Sequence, residues 1–502
     1  MAGWAACLRE LAQRWGWLAL LAFAPLFVFI TPATTPVLLV VPALLAALWV
    51  GGRPDCPWRT PLDGALLLLA VMILVSLWAT FSIEFSLGKI AGLVLGLGLF
   101  QAVAAAGRRS PRMFGWQVAT FLALGLGVAA LGLVGMRVGD KLPGLAALLA
   151  RLPRVLVSLP GAPDGLQPNE VAGVLLWVAP VALAVSAGAW QSTGAGGRRW
   201  LARGASAAAG LAGLALLGVM VLSQSRSGLL GLAAGLAAML YLALWSGRRW
   251  LAAALAPGRR RLWLLAATLA AVALLSGAGL RYWQPLAASV RQALAPSGAD
   301  PASSNLLTSL DARVEIWSRA IYGIEDFPFT GMGLNTFRKL LFVLYPPFSV
   351  SPDAVLGHAH NTWLQVALDL GLPGLVAYLA AWLATGTMLL QSLQVGRDAR
   401  GGPSSLGIRR LPSHLPPPPG AGILQGDSSA LTHAMAVGIL GALAGSLVFG
   451  LTDTVALGAR PGFLWWMMLG LAVVAWHHAT GQDIRRPGMM MSFETSDGEA
   501  RP

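Results

Sequence analysis

The chain has 502 residues, 56% of them hydrophobic and only 11% charged, with 60 glycines, a mean hydropathy of +0.68 and a formal charge of +14. That balance excludes a set of soluble domains. It also excludes nucleic-acid binding, because the positive charge sits in short connections and not in a basic domain with base-stacking aromatics. Crossing about 30 Å of hydrocarbon takes roughly 20 residues at about 1.5 Å each, so the sequence predicts an all-α, polytopic integral membrane protein with about twelve transmembrane helices.

In chain order, Arg9 and Arg14 precede an apolar run over 16–30 that resembles a signal peptide until Thr31-Pro32 interrupts it and a second run, 36–50, follows at once. The pair reads as uncleaved spans. Further spans are predicted near 64–80, 86–106, 114–135, 168–188, 204–222, 228–245, 262–280, 362–391, 431–452 and 462–479. Pro25 and Pro42 fall inside helices, which a bundle tolerates when neighbours satisfy the freed carbonyls. The predicted organisation is a transmembrane bundle over 1–280 (spans 1–9), a large loop over 281–361, span 10 over 362–393, a Pro/Gly/Ser-rich disordered linker over 394–430, spans 11–12 over 431–480 and a tail over 481–502.

Orientation follows from the arginines. Alternate connections carry Arg9/Arg14, Arg53/Arg59, Arg108/Arg109/Arg112, Arg198/Arg199/Arg203, Arg248/Arg249/Arg259/Arg260/Arg261, Arg397/Arg400/Arg409/Arg410 and Arg485/Arg486. The positive-inside rule puts these connections and both termini in the cytoplasm, and the 281–361 loop before the tenth span outside it. The stretch Leu142 to Leu159, with Arg151 and Arg154, reads as a surface helix or an ordinary loop helix. Cys7 and Cys56 would both face the cytoplasm, so no disulfide and no metal spacing is expected. Gly92-Gly96 and Gly231-Gly235 are expected at close helix contacts.

The junction Gly357-His358-Ala359-His360-Asn361-Thr362-Trp363-Leu364 joins the polar loop to the tenth span. Imidazoles beside hydrocarbon are costly unless paired or functional, and an imidazole titrates where it can take a proton from an attacking hydroxyl. His360 is therefore the expected catalytic base, with His358 and Asn361 beside it, although an interfacial or helix-capping role fits one isolated histidine equally well. Arg226 lies in a short turn flanked by hydroxyls and an amide, Arg281 ends a span, and Arg313 precedes Trp317 and Ala320 at helical spacing, so that, buried beside those apolar residues, it would need an anionic partner. Planar guanidinium groups suit bidentate anion binding, although a lone interfacial arginine can also snorkel. Asn169-Glu170 after Pro168 reads chiefly as a helix cap, with substrate contact as the minor reading. Asp453 with Arg460 reads as a structural ion pair, and Asp369, nine residues after His360, is not expected to orient it. Arginines and a base at one outer face fit a polyprenyl diphosphate carrying a sugar: the guanidinium groups would stabilise the departing diphosphate, and His360 would activate the acceptor from the other side of the sugar, predicting inversion.

His360-Asn361, nine residues, then Gly371-Leu372-Pro373-Gly374 resembles the pattern of the O-antigen ligase family, which includes lipid-A-core O-antigen ligases, O-antigen and exopolysaccharide polymerases and protein O-oligosaccharyltransferases. Arg226 with Leu230 is similar to the family's Arg-x-x-x-Leu element, and Arg313, Trp317, Ala320, Pro328, Gly331, Gly333 and Phe337 are similar to the run before its histidine. The resemblance covers roughly 165–375 and departs at His358, a second imidazole, and at Leu375. It implies a C-type membrane glycosyltransferase fold in the bacterial inner membrane, with an extracytoplasmic site. It also implies a donor glycan on undecaprenyl diphosphate, a glycan, lipid A core or protein acceptor, and no metal or other cofactor. The first external segment, Thr31 to Pro36, has none of the acidic residues that metal-dependent relatives carry there. Arg226, Arg313 and Arg281 are the implied diphosphate ligands, with Asn169, Gly371 and Gly374 in support. A reading from another class is a transporter of an anion or small solute, against which stand the one-sided polar residues and the lack of an evident inverted repeat.

Overall fold

The computed structural model describes residues 2–49, 60–136, 165–191, 199–246, 310–348, 350, 356–398 and 421–481. These residues form thirteen α-helices and no strand. The helices are α1 (Ala2–Val28), α2 (Val40–Trp49), α3 (Asp63–Ala79), α4 (Ile83–Gly107), α5 (Pro111–Gly135), α6 (Pro168–Gln191) and α7 (Arg199–Leu222), followed by α8 (Arg226–Trp245), α9 (Leu310–Asp326), α10 (Phe337–Leu344), α11 (Thr362–Asp398), α12 (Ala421–Gly450) and α13 (Phe463–Thr480). Short 3-10 turns, Pro32–Leu39 and Arg460–Gly462, precede α2 and α13.

Nine of the described helices are long and apolar enough to cross a membrane, three fewer than the sequence predicts, and the protein is a multi-pass membrane protein. Two of the differences are segments that do form apolar helices but fall short, Pro32–Ala46 and Asp63–Ala79. Pro32 and Pro36 lack the backbone donors that an α-helix needs, so that stretch opens as a 3-10 turn. Helix α3, with 17 residues, spans only about 26 Å. The predicted span at 262–280 lies outside the described residues, as do Arg281 and the Leu142 to Leu159 segment. Helices α11 and α12 also extend into both ends of the predicted 394–430 linker, to Asp398 and from Ala421.

Local sequence sets the helix starts. Ser82, Ser110 and Ser225 cap α4, α5 and α8 by accepting the backbone N–H groups of Phe85, Met113 and Gly228, and Pro111 takes the first-turn position where its missing donor costs nothing. Helix α6 is the hub, packing on α7, α8, α5 and α12, while α13 lies among α4, α11 and α12. Glycines let backbones approach there: a side chain at Gly231 or Gly235 of α8 would meet the carbonyls of Gly445 or Gly441 on α12, and one at Gly92 would meet that of Gly458.

The helix ends sort into two faces. At one, Arg109 donates to Gln13 and His478 contacts the Gly107 carbonyl, so the arginines of the α4–α5 turn sit with the start of α1 and the end of α13. At the other, the end of α3 and the start of α4 meet Leu334–Thr336, and the starts of α6 and α8 meet Asp453 and Thr452, to which Arg313 also binds. The 310–361 segment has its own small core of Ala312, Ile316, Ala320, Phe337, Leu341 and Leu368.

Candidate active site

The site is assembled where α11 begins. Asn361 caps this helix, its Oδ1 accepting the N–H groups of Trp363 and Leu364 at 3.0 and 3.1 Å, and its Nδ2 donates to the Leu451 carbonyl. With the cap on Asn361, the preceding residue must turn sharply: His360 has φ 50, left-handed backbone that costs an L-residue energy. Two bonds hold it there. Its N–H donates to His358 Nδ1 at 3.2 Å, and its carbonyl accepts from the Trp317 indole at 3.3 Å.

This turn aims the His360 ring at Asp453, Nδ1 to Oδ1 3.3 Å, in the short connection between α12 and α13. Asp453 is fully buried, whereas His360 keeps 18% of its side-chain exposure and His358 keeps 16%. The second carboxylate oxygen accepts from Asn169 Nδ2 at 2.6 Å and pairs with Arg313 Nη2 at 3.2 Å, and the other guanidinium nitrogen reaches the Thr452 carbonyl at 2.5 Å. Thr362 closes the shell by donating to the Asp453 carbonyl. Burial pushes the Asp453 carboxyl up, but the hydrogen bond and charge of His360, with the charges of His358 and Arg313, hold it down at about 2. The carboxylate is thus ionised at neutral pH and can only accept.

The tautomers follow. Facing an acceptor-only carboxylate, His360 Nδ1 carries the proton, which leaves Nε2 with a free lone pair. His358 Nδ1 accepts a backbone N–H, so its proton is on Nε2, which lies 3.9 Å from Asp453 Oδ1. Burial first, then the charges of His360, Lys89 and Arg313, lower His358 to about 3 against the pull of Asp453. The His358 lone pair, on Nδ1, is taken by the His360 N–H, so of the two imidazoles only His360 presents a free base. His358, His360 and Asp453 do offer ligand-type atoms within 4.8 Å of one another. That donor set fits a cation poorly, because the Arg313 guanidinium already binds the carboxylate and His358 Nε2 carries its proton.

Arg226 opens α8 with an exposed side chain, and no ion pair or hydrogen bond engages its guanidinium among the described residues. The next residue, Ser227, bonds Thr452 at 2.9 Å, so Arg226 lies at the face that holds the His360–Asp453 pair. Gln224, with φ 53, makes the turn before it. The structure thus brings His360, His358, Asn361, Asn169, Arg313 and Arg226 to one face.

Three expectations are corrected. Asp453 pairs with Arg313 and the imidazoles, while Arg460 stacks on the Phe29 ring at 5.4 Å, because the connection turns the two side chains apart. Asn169 sits inside the first turn of α6 and spends its amide on Asp453 instead of capping the helix. Arg313 is bound at both ends, so it is a partner of Asp453 before it is a ligand for anything else. Asp369 does not reach His360; it pairs with Lys89 at 3.9 Å and accepts from the Asn335 N–H.

The Gly371-Leu372-Pro373-Gly374 segment acts at a distance. Gly371 has φ 71 and ψ 177 and breaks α11 into two arms. The freed groups take up the Pro328–Met332 strip: Leu372 N–H bonds the Pro328 carbonyl and the Leu368 carbonyl bonds Met332 N–H, each at 2.7 Å. A side chain at Gly371 would lie 2.5 Å from the Phe329 carbonyl. The nine-residue spacing therefore fixes the Pro328–Met332 strip to the helix that follows His360.

Residues 211–379 match the family model described as O-Antigen ligase. The matched segment holds Arg226, Arg313, His358, His360, Asn361, Gly371 and Gly374, while Asn169 and Asp453 lie outside it. No curated protein matches the chain. The chain carries, over 211–379, a domain similar to the O-antigen ligase model, whose family comprises ligase- and polymerase-type glycosyltransferases, within a multi-pass helical bundle.

Proposed function

We propose that this chain moves a glycan from undecaprenyl diphosphate to an acceptor hydroxyl at the face where His360 and Asp453 meet, without a metal and with inversion at the anomeric carbon. The observation that carries the reading is the His360–Asp453–Arg313 series: a base with one free nitrogen, a buried ionised carboxylate on the other nitrogen, and a guanidinium that keeps that carboxylate ionised. His360 Nε2 takes the proton of the attacking hydroxyl, and Asp453 stabilises the imidazolium that forms. As the sugar–phosphate bond breaks, charge grows on the diphosphate, and we assign its stabilisation to Arg226, the exposed guanidinium on the helix end whose Ser227 bonds Thr452.

Below Thr362, Trp177, Trp363, Tyr378, Trp382, Trp465 and Ser446 line a narrow recess. The arginines at the opposite helix ends favour a cytoplasmic position for that face, and so an extracytoplasmic site in the bacterial inner membrane. A lipid A core, a growing polysaccharide or a protein serves as acceptor by the same chemistry.

Purified full-length chain, incubated with undecaprenyl-diphosphate glycan and a panel of these acceptors, tests the reading. Release of the lipid diphosphate with a glycosylated product is expected. Solute uptake into sealed proteoliposomes with no transfer to any acceptor would favour a carrier instead.

A further inference from the structure

A second cationic feature lies on the loop-facing side of α4, in residues that share no hydrogen bond or ion pair with His360 or Asp453. Helix α10 is amphipathic: Phe337 and Leu341 enter the loop core, and this points the next two residues, Arg338 and Lys339, the other way. The Arg338 guanidinium lies 4.5 Å from the centroid of the Phe85 ring and the Lys339 ammonium 5.8 Å from it. Arg338 is partly buried, and its Nε has no hydrogen-bond partner. No ion pair engages either cation among the described residues. Burial lowers the proton affinity of Arg338, the sign of a cation held without enough compensation. Lys89, one turn further along α4, adds positive potential, though Asp369 partly offsets it.

The surroundings say where such a site sits. Trp78, Phe81 and Ile83 at the α3–α4 turn are exposed, as are Val343 and Leu344 at the end of α10. An apolar rim around a guanidinium and an ammonium is the arrangement expected at the boundary between hydrocarbon and headgroups. A planar fork beside a point charge suits a phosphate, and an aromatic platform keeps the fork in place.

We propose that Arg338 and Lys339, on the Phe85 platform, bind the phosphate of a lipid at the membrane surface, as a site separate from Arg226. Only in assigning that lipid to the acceptor does this rest on the proposed transfer; a bulk anionic phospholipid offers the same group.

The test is equilibrium binding of fluorescent short-chain phosphatidic acid to the full-length protein in neutral detergent, with diacylglycerol of the same chain length as the uncharged control. The Arg338→Gln/Lys339→Gln variant is expected to lose at least about tenfold in affinity for phosphatidic acid and none for diacylglycerol. Arg338→Lys, which keeps the charge and the fold, is expected to lose less. Competition by inorganic phosphate would show that the anion alone is recognised, and its failure that the lipid-borne form is required; either agrees with the site. Unchanged phosphatidic acid binding in the double variant would overturn it, as would equal loss in Arg226→Gln, which would merge the two sites. His360→Ala should bind phosphatidic acid normally, so an inactive histidine variant and a defective lipid site are told apart. Because the assay needs no turnover, a failure of the transfer reading would leave its result standing.

Discussion

The Nδ1 of His360 faces Asp453 Oδ1 at 3.3 Å, and the two residues come from connections 93 positions apart in the chain. The relationship decides which imidazole is chemically available, because the carboxylate fixes the proton on Nδ1 of His360 and leaves Nε2 free. Arg313 also ties the acid of the α12–α13 connection to α9.

Asp453→Asn should therefore cost more than its size implies. An amide can donate as well as accept, so it no longer enforces the His360 tautomer, and it leaves Arg313 without its anion. Turnover is expected to fall by about 100-fold or more, with the donor KM changed far less. Single-turnover kinetics would check this, and a variant with wild-type turnover would remove Asp453 from the chemistry.

Arg226→Lys keeps the charge and loses the fork. Since no described residue holds this guanidinium, the change should leave thermal stability near wild type while transfer falls by about tenfold or more. Transfer and melting temperature measured on the same preparation separate the two, and full activity would mean that the side chain merely snorkels.

His358 makes the fold sensitive to acid. Its proton affinity is lowered from 6.5 to about 3, so the unfolded chain binds a proton that the folded chain refuses. The corresponding stability is fully present above about pH 6.5 and is lost as pH falls toward 3. His358→Asn, which retains an acceptor for the His360 N–H, should flatten the fall in melting temperature between pH 7 and pH 5. An unchanged slope would mean that His358 is not held neutral.

The buried pair between Lys89 and Asp369 should behave as a unit. Lys89→Met leaves a carboxylate alone between α4 and α11, and Asp369→Leu leaves an ammonium, each costing about 3–5 kcal/mol. The double variant should recover most of that loss. Denaturation of the three variants in one detergent gives the coupling, and simple additivity would contradict it.

Gly371→Ala tests the broken helix. The position has φ 71, and an added Cβ would lie 2.5 Å from the Phe329 carbonyl, so the loss expected is about 2–4 kcal/mol in stability. A variant as stable as wild type would show that the loop does not depend on this contact.

How much was legible in the sequence follows from the same residues. Apolar periods and the placement of arginines were enough for a multi-pass helical bundle, and they located His360, because a polar junction before a long apolar run is a local signal. The need of Arg313 for an anionic partner was also readable from the apolar residues on its helical face. The identity of that partner was not, since Asp453 lies 140 residues away and its nearest cation in sequence, Arg460, turns toward Phe29. The buried acid in Leu451-Thr452-Asp453-Thr454, caught between two apolar spans, was the available signal. Asn169 was misread because a first-turn amide suits capping, whereas tertiary structure gives it a carboxylate. Of the two short apolar helices, hydropathy hid the donors that Pro32 and Pro36 remove from the first, and for the second it does not report that the helix closes after 17 residues.

The central claim is that His360 is the base. The direct measurement is the rate at which purified His360→Ala, shown to insert and melt like wild type, releases undecaprenyl diphosphate as it glycosylates an acceptor. Transfer reduced to background is the result expected, and near-normal turnover would contradict the account.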